Sequence, residues 1–181
     1  NARWRQQMDW ADGKLALAAG LAADRQTDLR RGYQNFTGPS GAPTAVGVQG
    51  DLRRDETNRA TNIDPYASAD WTRGDWTVAG GLRHTRVKYT STDRFIVGTN
   101  GDDSGATDFR ATLPVIGLRH QLTPQLQVFA SVGRGFETPT LNEAAYRQTG
   151  GAGLNTELNA ARSTSAEIGL RGRNSAGLWN A

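Results

Sequence analysis

The side chains able to do chemistry are few and dispersed. His84 and His120 are the only histidines, and each follows Leu-Arg. A zinc-type centre needs three or four donors converging on one point. With no cysteine in the chain and no third ligand spaced to join them, the two histidines read as structural. Ser131 and Ser163 lack the sharp strand-to-helix turn and the neighbouring base that activate a hydroxyl. Asp102 and Asp103, within Asn-Gly-Asp-Asp-Ser-Gly, are similar to a calcium loop but lack its ligand spacing and terminal Glu. Neither an enzyme nor a bound cofactor is expected. Two groupings suit binding instead. Glu137, Glu143 and Arg162 either cluster at the base of a loop or form a plain solvated face. Arg53, Arg54 and Arg59 share the polar segment 33–62 with Tyr33 and Phe36. Arginine supplies fixed donors for an anionic chelate, and aromatic rings stack on its flat groups. This segment is expected to be the ligand-binding loop, with 137–161 as the alternative.

The elements that must carry these residues are strands. Apolar residues recur with period two: Leu15, Leu17, Ala19, Leu21 and Ala23; Pro65, Ala67, Ala69 and Trp71; Trp76, Val78, Gly80 and Leu82. Pro114, Ile116 and Leu118 follow, then Val128, Ala130 and Val132, then Ala166, Ile168 and Leu170. Successive side chains of a strand point to opposite sides, so each row is one apolar face. Three Gly-Leu-Arg triplets, at 81–83, 117–119 and 169–171, put Leu in the apolar row and Gly and Arg opposite. That opposite face also carries Tyr66, Ser68, Asp70, Gln121, Glu167 and Arg173.

Connections alternate in length. Short turns are expected at Ala11-Asp12-Gly13-Lys14, Thr72-Arg73-Gly74-Asp75, Thr123-Pro124-Gln125 and Asn174-Ser175-Ala176-Gly177. Long, polar, Gly-rich segments lie between them, at roughly 33–62, 97–109 and 137–161. Alternating short turns and long loops characterise an up-and-down barrel in an outer membrane. Trp10, Trp71, Trp76 and Trp179 all lie near a short turn, as an interfacial girdle would. No apolar run is long enough for a membrane helix, but a membrane strand needs only about 9–11 residues. The 181 residues carry 22 Gly and only 36% hydrophobic residues, which argues against a helical bundle. The net charge is +3 and nearly every cation is Arg, with Lys only at 14 and 88. These charges are scattered without a basic run, which argues against nucleic acid as a partner.

Two stretches carry a family resemblance. GRGFETPTLNEAAY, following the strand that starts at Leu126, closely resembles the barrel segment of TonB-dependent outer-membrane receptors. The matching residues are Gly135, Phe136, Pro139, Leu141 and Glu143. Downstream, GLNTELNAARSTSAEIGLR resembles a second segment of that family through Asn155, Leu158, Arg162, Ser163, Ser165, Glu167 and Gly169. The chain departs from the usual pattern at Ala144, Thr156, Ala160 and Ala161. The resemblance is strong over about 113–171.

The resemblance implies a barrel of about 22 strands with a plugged lumen. It also implies uptake of a scarce nutrient, most often a ferric siderophore or similar chelate, driven from the inner membrane by TonB through the N-terminal region. The expected fold is all-β: an antiparallel, up-and-down transmembrane barrel segment of roughly eight strands. Residues 1–181 would all belong to the barrel domain, with the plug domain elsewhere in a longer chain. The partners would then be the chelate, the plug, TonB, and the lipid and lipopolysaccharide of the outer membrane. Two alternatives stay open: another outer-membrane barrel, such as a porin-like channel or small enzyme barrel, and a soluble β-sheet binding module.

Overall fold

The structure is a computed structural model that describes residues 1–144, 153–174 and 177–180. Eight strands form one antiparallel sheet in which every hydrogen-bonded neighbour is also a neighbour along the chain. They are β1 (Ala2–Trp10), β2 (Gly13–Tyr33), β5 (Leu52–Arg73), β6 (Trp76–Asp93), β7 (Gly105–Thr123), β8 (Leu126–Glu137), β9 (Ala161–Asn174) and β10 (Gly177–Asn180). Between β2 and β5, β3 (Phe36–Thr37) and β4 (Ala45–Val46) form a separate small ribbon. The one helix among the described residues, α1 (Leu141–Ala144), is a single turn. Strands β1 and β10 are the two edges, so the sheet is an open arc of barrel wall.

Every apolar row falls on one face. The register pairs Leu17 with Ala69, Ala69 with Gly80, Gly80 with Ile116, Ile116 with Val132 and Val132 with Ala166. Paired residues in a ladder project to the same side. Leu82, Leu118 and Leu170 are therefore on this face, and Arg83, Arg119 and Arg171 on the other. The apolar face is open: Ile168 is 79% and Ile116 55% exposed. The buried strand residues Asn58, Asp64, Thr85, Tyr89, Ser91, Phe109 and Ala111 all belong to the other face. Side chains crowd on the concave side of a curved sheet, so the polar face is the inner one. The row from Leu15 to Ala23 covers eight steps of about 3.3 Å, or about 20 Å of depth at a tilt of about 40°. That approaches the height of the apolar band on a membrane barrel.

The short-turn end is lined by tryptophan, as expected. Trp10 and Trp71 meet edge-on with ring centroids 6.1 Å apart, and Trp71 Nε1 donates to the Trp10 carbonyl at 3.0 Å. Trp71 lies over Gly13 and Trp179 over Gly172, where any Cβ would strike the indole. Trp76 stacks on His120 at 4.0 Å. The turns at 11–12, 74–75 and 124–125 are as expected, and Gly74 takes the left-handed conformation that its turn requires. The centre of the fourth turn, Ser175-Ala176, lies outside the described residues.

The long connections are shorter than their polarity implies. Segment 33–62 is a loop only over 34–51, because β5 starts at Leu52. Segment 97–109 gives way to β7 at Gly105. Polar residues such as Thr57, Arg59 and Thr61 continue the strand because their backbone groups pair with β2. A barrel wall rising past the apolar band needs no apolar residues to stay paired, so polarity alone overestimates loop length.

The two faces should respond differently to charge. Ile116→Arg or Ile168→Arg is expected to cost about 2–4 kcal/mol near the bilayer midplane. Arg119→Leu, on the inner face, should cost less. Denaturant titration after refolding into lipid vesicles measures both, and equal penalties would contradict the assignment of faces.

Candidate functional site

The inner wall holds the polar chemistry. In β5, alternate residues from Glu56 to Asp70 point inward, and β6 contributes Arg83, Thr85 and Tyr89 beside them. Asp64 is 1% exposed and accepts from three side chains: Arg83, Thr85 and, at 2.9 Å, Asn62 Nδ2. A carboxylate this buried is tolerable only when paired and hydrogen-bonded. The cluster also has a structural task. The β5–β6 ladder omits Asp64 and Pro65, then resumes in unchanged register. Proline has no N–H to give, and the Asp64 bonds to Arg83 and Thr85 hold the two strands together at that level.

Nearer the loop end lies a second cluster. Glu56 receives Arg30 at 3.2 Å and Asn58 Nδ2 at 3.0 Å on one oxygen, with Arg54 Nε 4.0 Å from the other. Two guanidinium groups share one carboxylate here, with Asp93 directly across the ladder from Glu56.

The segment after β8 folds over a small core made by Tyr89, Phe109, Ala144 and Leu154. Tyr89 and Phe109 meet edge-on at 5.9 Å. The Tyr89 hydroxyl donates to the Pro139 carbonyl at 2.8 Å. Thr140 and Glu143 form a reciprocal capping box. Glu143 N–H donates to Thr140 Oγ1 at 3.2 Å, and Thr140 N–H donates to Glu143 Oε2 at 2.7 Å. The bond from Thr140 N–H, then that from its hydroxyl, holds the Glu143 carboxyl below the usual range. Leu141 packs against the core from the same turn. A cleft of about 640 Å³ opens beside α1, lined by Glu137, Pro139, Asn142, Glu143, Asn155 and Asn159, among others.

These positions revise the sequence-based expectations. Tyr33 ends β2 on the outer face, and Phe36 lies in β3, paired with Val46. Arg53, Arg54 and Arg59 are strand residues rather than loop residues. The strand period sends Arg54 inward and Arg59 outward, while Arg53 falls at the register shift beside Gly32, its side chain next to Arg54 there. Glu137 and Glu143 line one cleft, but Arg162 does not join them. Glu143 caps α1, while Arg162 Nη2 donates to the Arg110 carbonyl at 3.1 Å. His84 bonds Thr112 and His120 stacks on Trp76, both on the outer face. Among the described residues, no group of three or more side chains could hold a metal. Of the motif residues, Gly135 lies so close to Ser163 that a Cβ would strike its hydroxyl. Phe136 packs against the small core, and Leu158 lines the cleft. Glu167 and Gly169 are inner-wall residues of β9. Tyr146 lies outside the described residues.

The residues missed in sequence were Arg30, Glu56, Asn58, Asn62, Asp64 and Tyr89. The signal was present: Tyr66, Ser68 and Asp70 mark an inward polar row that continues upward through Asp64, Asn62, Asn58 and Glu56.

An antiparallel wall with an apolar outer face, a tryptophan-lined turn end and a charged inner face is the architecture of a transmembrane barrel. The family model "TonB dependent receptor-like, beta-barrel" matches residues 1–181. The chain belongs to this family. Among solved structures it is similar to the ferric citrate transporter FecA in its unliganded form, with a TM-score of 0.69 and 17% identity over 96% of this chain and 24% of that one. It is also similar to the closed form of the ferric-catecholate import receptor Fiu from K12 E. coli. There the TM-score is 0.71 and the identity 15%, over 98% of this chain and 29% of that one. The chain thus spans between 24% and 29% of the structures it matches.

The capping box should be sensitive to acid. Because its carboxyl is held low in the folded state, Glu143 stabilises α1 fully above the ordinary Glu range, and the contribution is lost as pH falls through the lowered value. Thr140→Ala, which keeps the backbone bond to Glu143, should cost about 1 kcal/mol of local stability and weaken this pH dependence, whereas Glu143→Gln should remove it. Hydrogen exchange at the Ala144 amide, which bonds the Thr140 carbonyl, reads both effects.

Proposed function

We propose that this chain is part of the barrel wall of an outer-membrane receptor that imports a scarce nutrient, most simply a ferric siderophore or similar anionic chelate. The observation that carries this reading is the inward pair Arg30 and Arg54, held by Glu56 at the loop end of the wall. Guanidinium groups fixed by a carboxylate are pre-organised donors for an anionic ligand. The likeness to a ferric citrate transporter and a ferric-catecholate import receptor supports the same class of ligand.

Residues 1–181 make up barrel wall in this reading, and a plug domain of the full-length receptor fills the lumen. The inward Arg83, Arg119 and Arg171 and the exposed Val115 are the surface that the plug meets. Val115 is 52% exposed, between Gly81 and Gly133, the one large apolar side chain offered by this level of the inner wall among the described residues. TonB would supply the energy through the plug side.

The ligand contacts are accordingly assigned to the inward members of the polar segment. In the full-length receptor, Arg54→Ala and Arg30→Ala should each weaken chelate binding about tenfold, the scale of one charge-assisted hydrogen bond. Arg59→Ala, on the outer face of the same strand, should leave it unchanged. Ligand-induced fluorescence quenching on whole cells, at matched surface abundance, tests this. If Arg30→Ala and Arg54→Ala bind normally, the site moves to the cleft beside α1.

A further inference from the structure

The connection between β6 and β7 is held together by side-chain bonds. Asp93 accepts the Phe95 N–H at 2.8 Å on one carboxylate oxygen and the Asp103 N–H at 3.3 Å on the other, and its own N–H donates to Ser104 Oγ at 2.9 Å. Above this base the Asn100 N–H closes a turn on the Val97 carbonyl at 2.9 Å, with Gly98 left-handed inside it. The Asn100 carboxamide then ties the two limbs of the loop together. Its Nδ2 donates to the Phe95 carbonyl and, at 3.4 Å, to the Gly101 carbonyl. The loop in turn meets the segment that follows α1. The Asp103 carbonyl lies so close to Gly153 that a Cβ there would strike it, next to Leu154 of the small core and Asn155 of the cleft.

Asn100 is the one asparagine in the chain that precedes a glycine. Glycine has no Cβ to shield its nitrogen, and its backbone turns more freely than that of any other residue. Here the nitrogen is uncommitted: among the described residues the Gly101 N–H has no acceptor. Gly101 is exposed, so water reaches the site. The fold does not itself require a glycine at this point. A Cβ on Gly101 would meet nothing within 4 Å, and its φ is not left-handed. The pair Asn100-Gly101 thus sets a free backbone nitrogen beside the side-chain carbon that it can attack.

We infer that Asn100 is a site of spontaneous deamidation through Gly101, and that the product unties the β6–β7 loop. Solvent base takes the Gly101 amide proton, and the nitrogen attacks Asn100 Cγ. The Cγ–Nδ2 bond breaks, and ammonia leaves with a proton from solvent. A cyclic imide remains. Water opens it at Cγ to leave aspartate, or at the Asn100 main-chain carbonyl to leave isoaspartate, with the chain rerouted through Cγ. One water is consumed and one ammonia released, and no other reactant is needed. Either product puts a carboxylate, which only accepts, where the donor to the Phe95 carbonyl stood. The loop already carries Asp93, Asp102 and Asp103, so the new charge meets like charges. Without the Asn100 bond the exposed tip, Ile96 and Val97, is freed, and the Asp103 contact with Gly153 loosens at the border of the cleft.

The test incubates the full-length receptor in detergent micelles, at mildly alkaline pH in heavy-oxygen water, and then digests it with trypsin in ordinary water. Cuts after Arg94 and Arg110 release the peptide FIVGTNGDDSGATDFR. Wild type should give this peptide in two acidic forms, aspartate and isoaspartate, both carrying the heavy oxygen. Gly101→Val, which the open space around Gly101 accommodates, should slow the conversion about tenfold or more. Asn100→Gln should abolish it. In the converted receptor, and in Asn100→Asp without incubation, hydrogen exchange at the Phe95 and Asp103 amides should rise about tenfold, the scale of one lost hydrogen bond. Acidic forms that carry no heavy oxygen arise during digestion, and finding only those would overturn the inference. So would equal conversion in wild type and Gly101→Val. Exchange in Asn100→Asp as slow as in wild type would overturn the untying of the loop.

Discussion

Backbone hydrogen bonding is the constraint on which this structure turns. Within an apolar layer no water is available to pair N–H and C=O groups, so each strand must find both neighbours. The sheet meets this by joining consecutive strands through two-residue turns at one end, which keeps the long ladders in register. Two prolines test the rule. At Pro65 the β5–β6 ladder skips two residues without shifting, and Asp64 ties the strands through Arg83 and Thr85. At Pro114 the β7–β8 ladder ends, and Arg162 reaches across β8 to the Arg110 carbonyl. At both points a side-chain arginine bond spans the seam where a backbone donor is missing.

Once register is held, the period of two separates the work of the two faces. The outer face carries small and branched apolar residues with indoles at the turn end. Trp71 and Trp179 lie flat only because Gly13 and Gly172 leave the space beneath them. The inner face carries charge that would be costly in contact with lipid. Arg119 bonds Thr77 at 2.9 Å, and Arg171 lies 5.4 Å above the Phe129 ring. A one-residue slip would exchange these faces, so the polar interior and the apolar exterior enforce the same register.

The mouth of the wall is built differently. There the segment from Thr138 to Ala144 folds back over Tyr89 and Phe109, using a capped single turn in place of a strand. A one-turn helix has little stability of its own. The Thr140–Glu143 bonds and the burial of Ala144 and Leu154 supply it. The polar residues of this motif are therefore architectural: they shape the cleft beside α1.

Much of this was legible in the chain. The apolar rows identified the outer-face residues, and the Gly-Leu-Arg triplets identified Arg83, Arg119 and Arg171 as their opposites. Short turns, girdle tryptophans and the motif from Gly135 to Glu143 are local features, set by neighbours a few residues away. The upper strands were not legible, because Thr57, Arg59 and Thr61 are polar whether they lie in a loop or in a wall above the membrane. Only pairing with β2, more than twenty residues distant in sequence, decides that they are strand. That decision sent Arg54 inward and Arg59 outward, and so separated two arginines that lie close in the chain. The partners that Asp64 finds on β6 and the one that Arg162 finds on β7 were likewise set by tertiary structure. Which donors reach a carboxylate or a free carbonyl depends on strand register and on where a proline opens the ladder, and neither is a property of the residue itself.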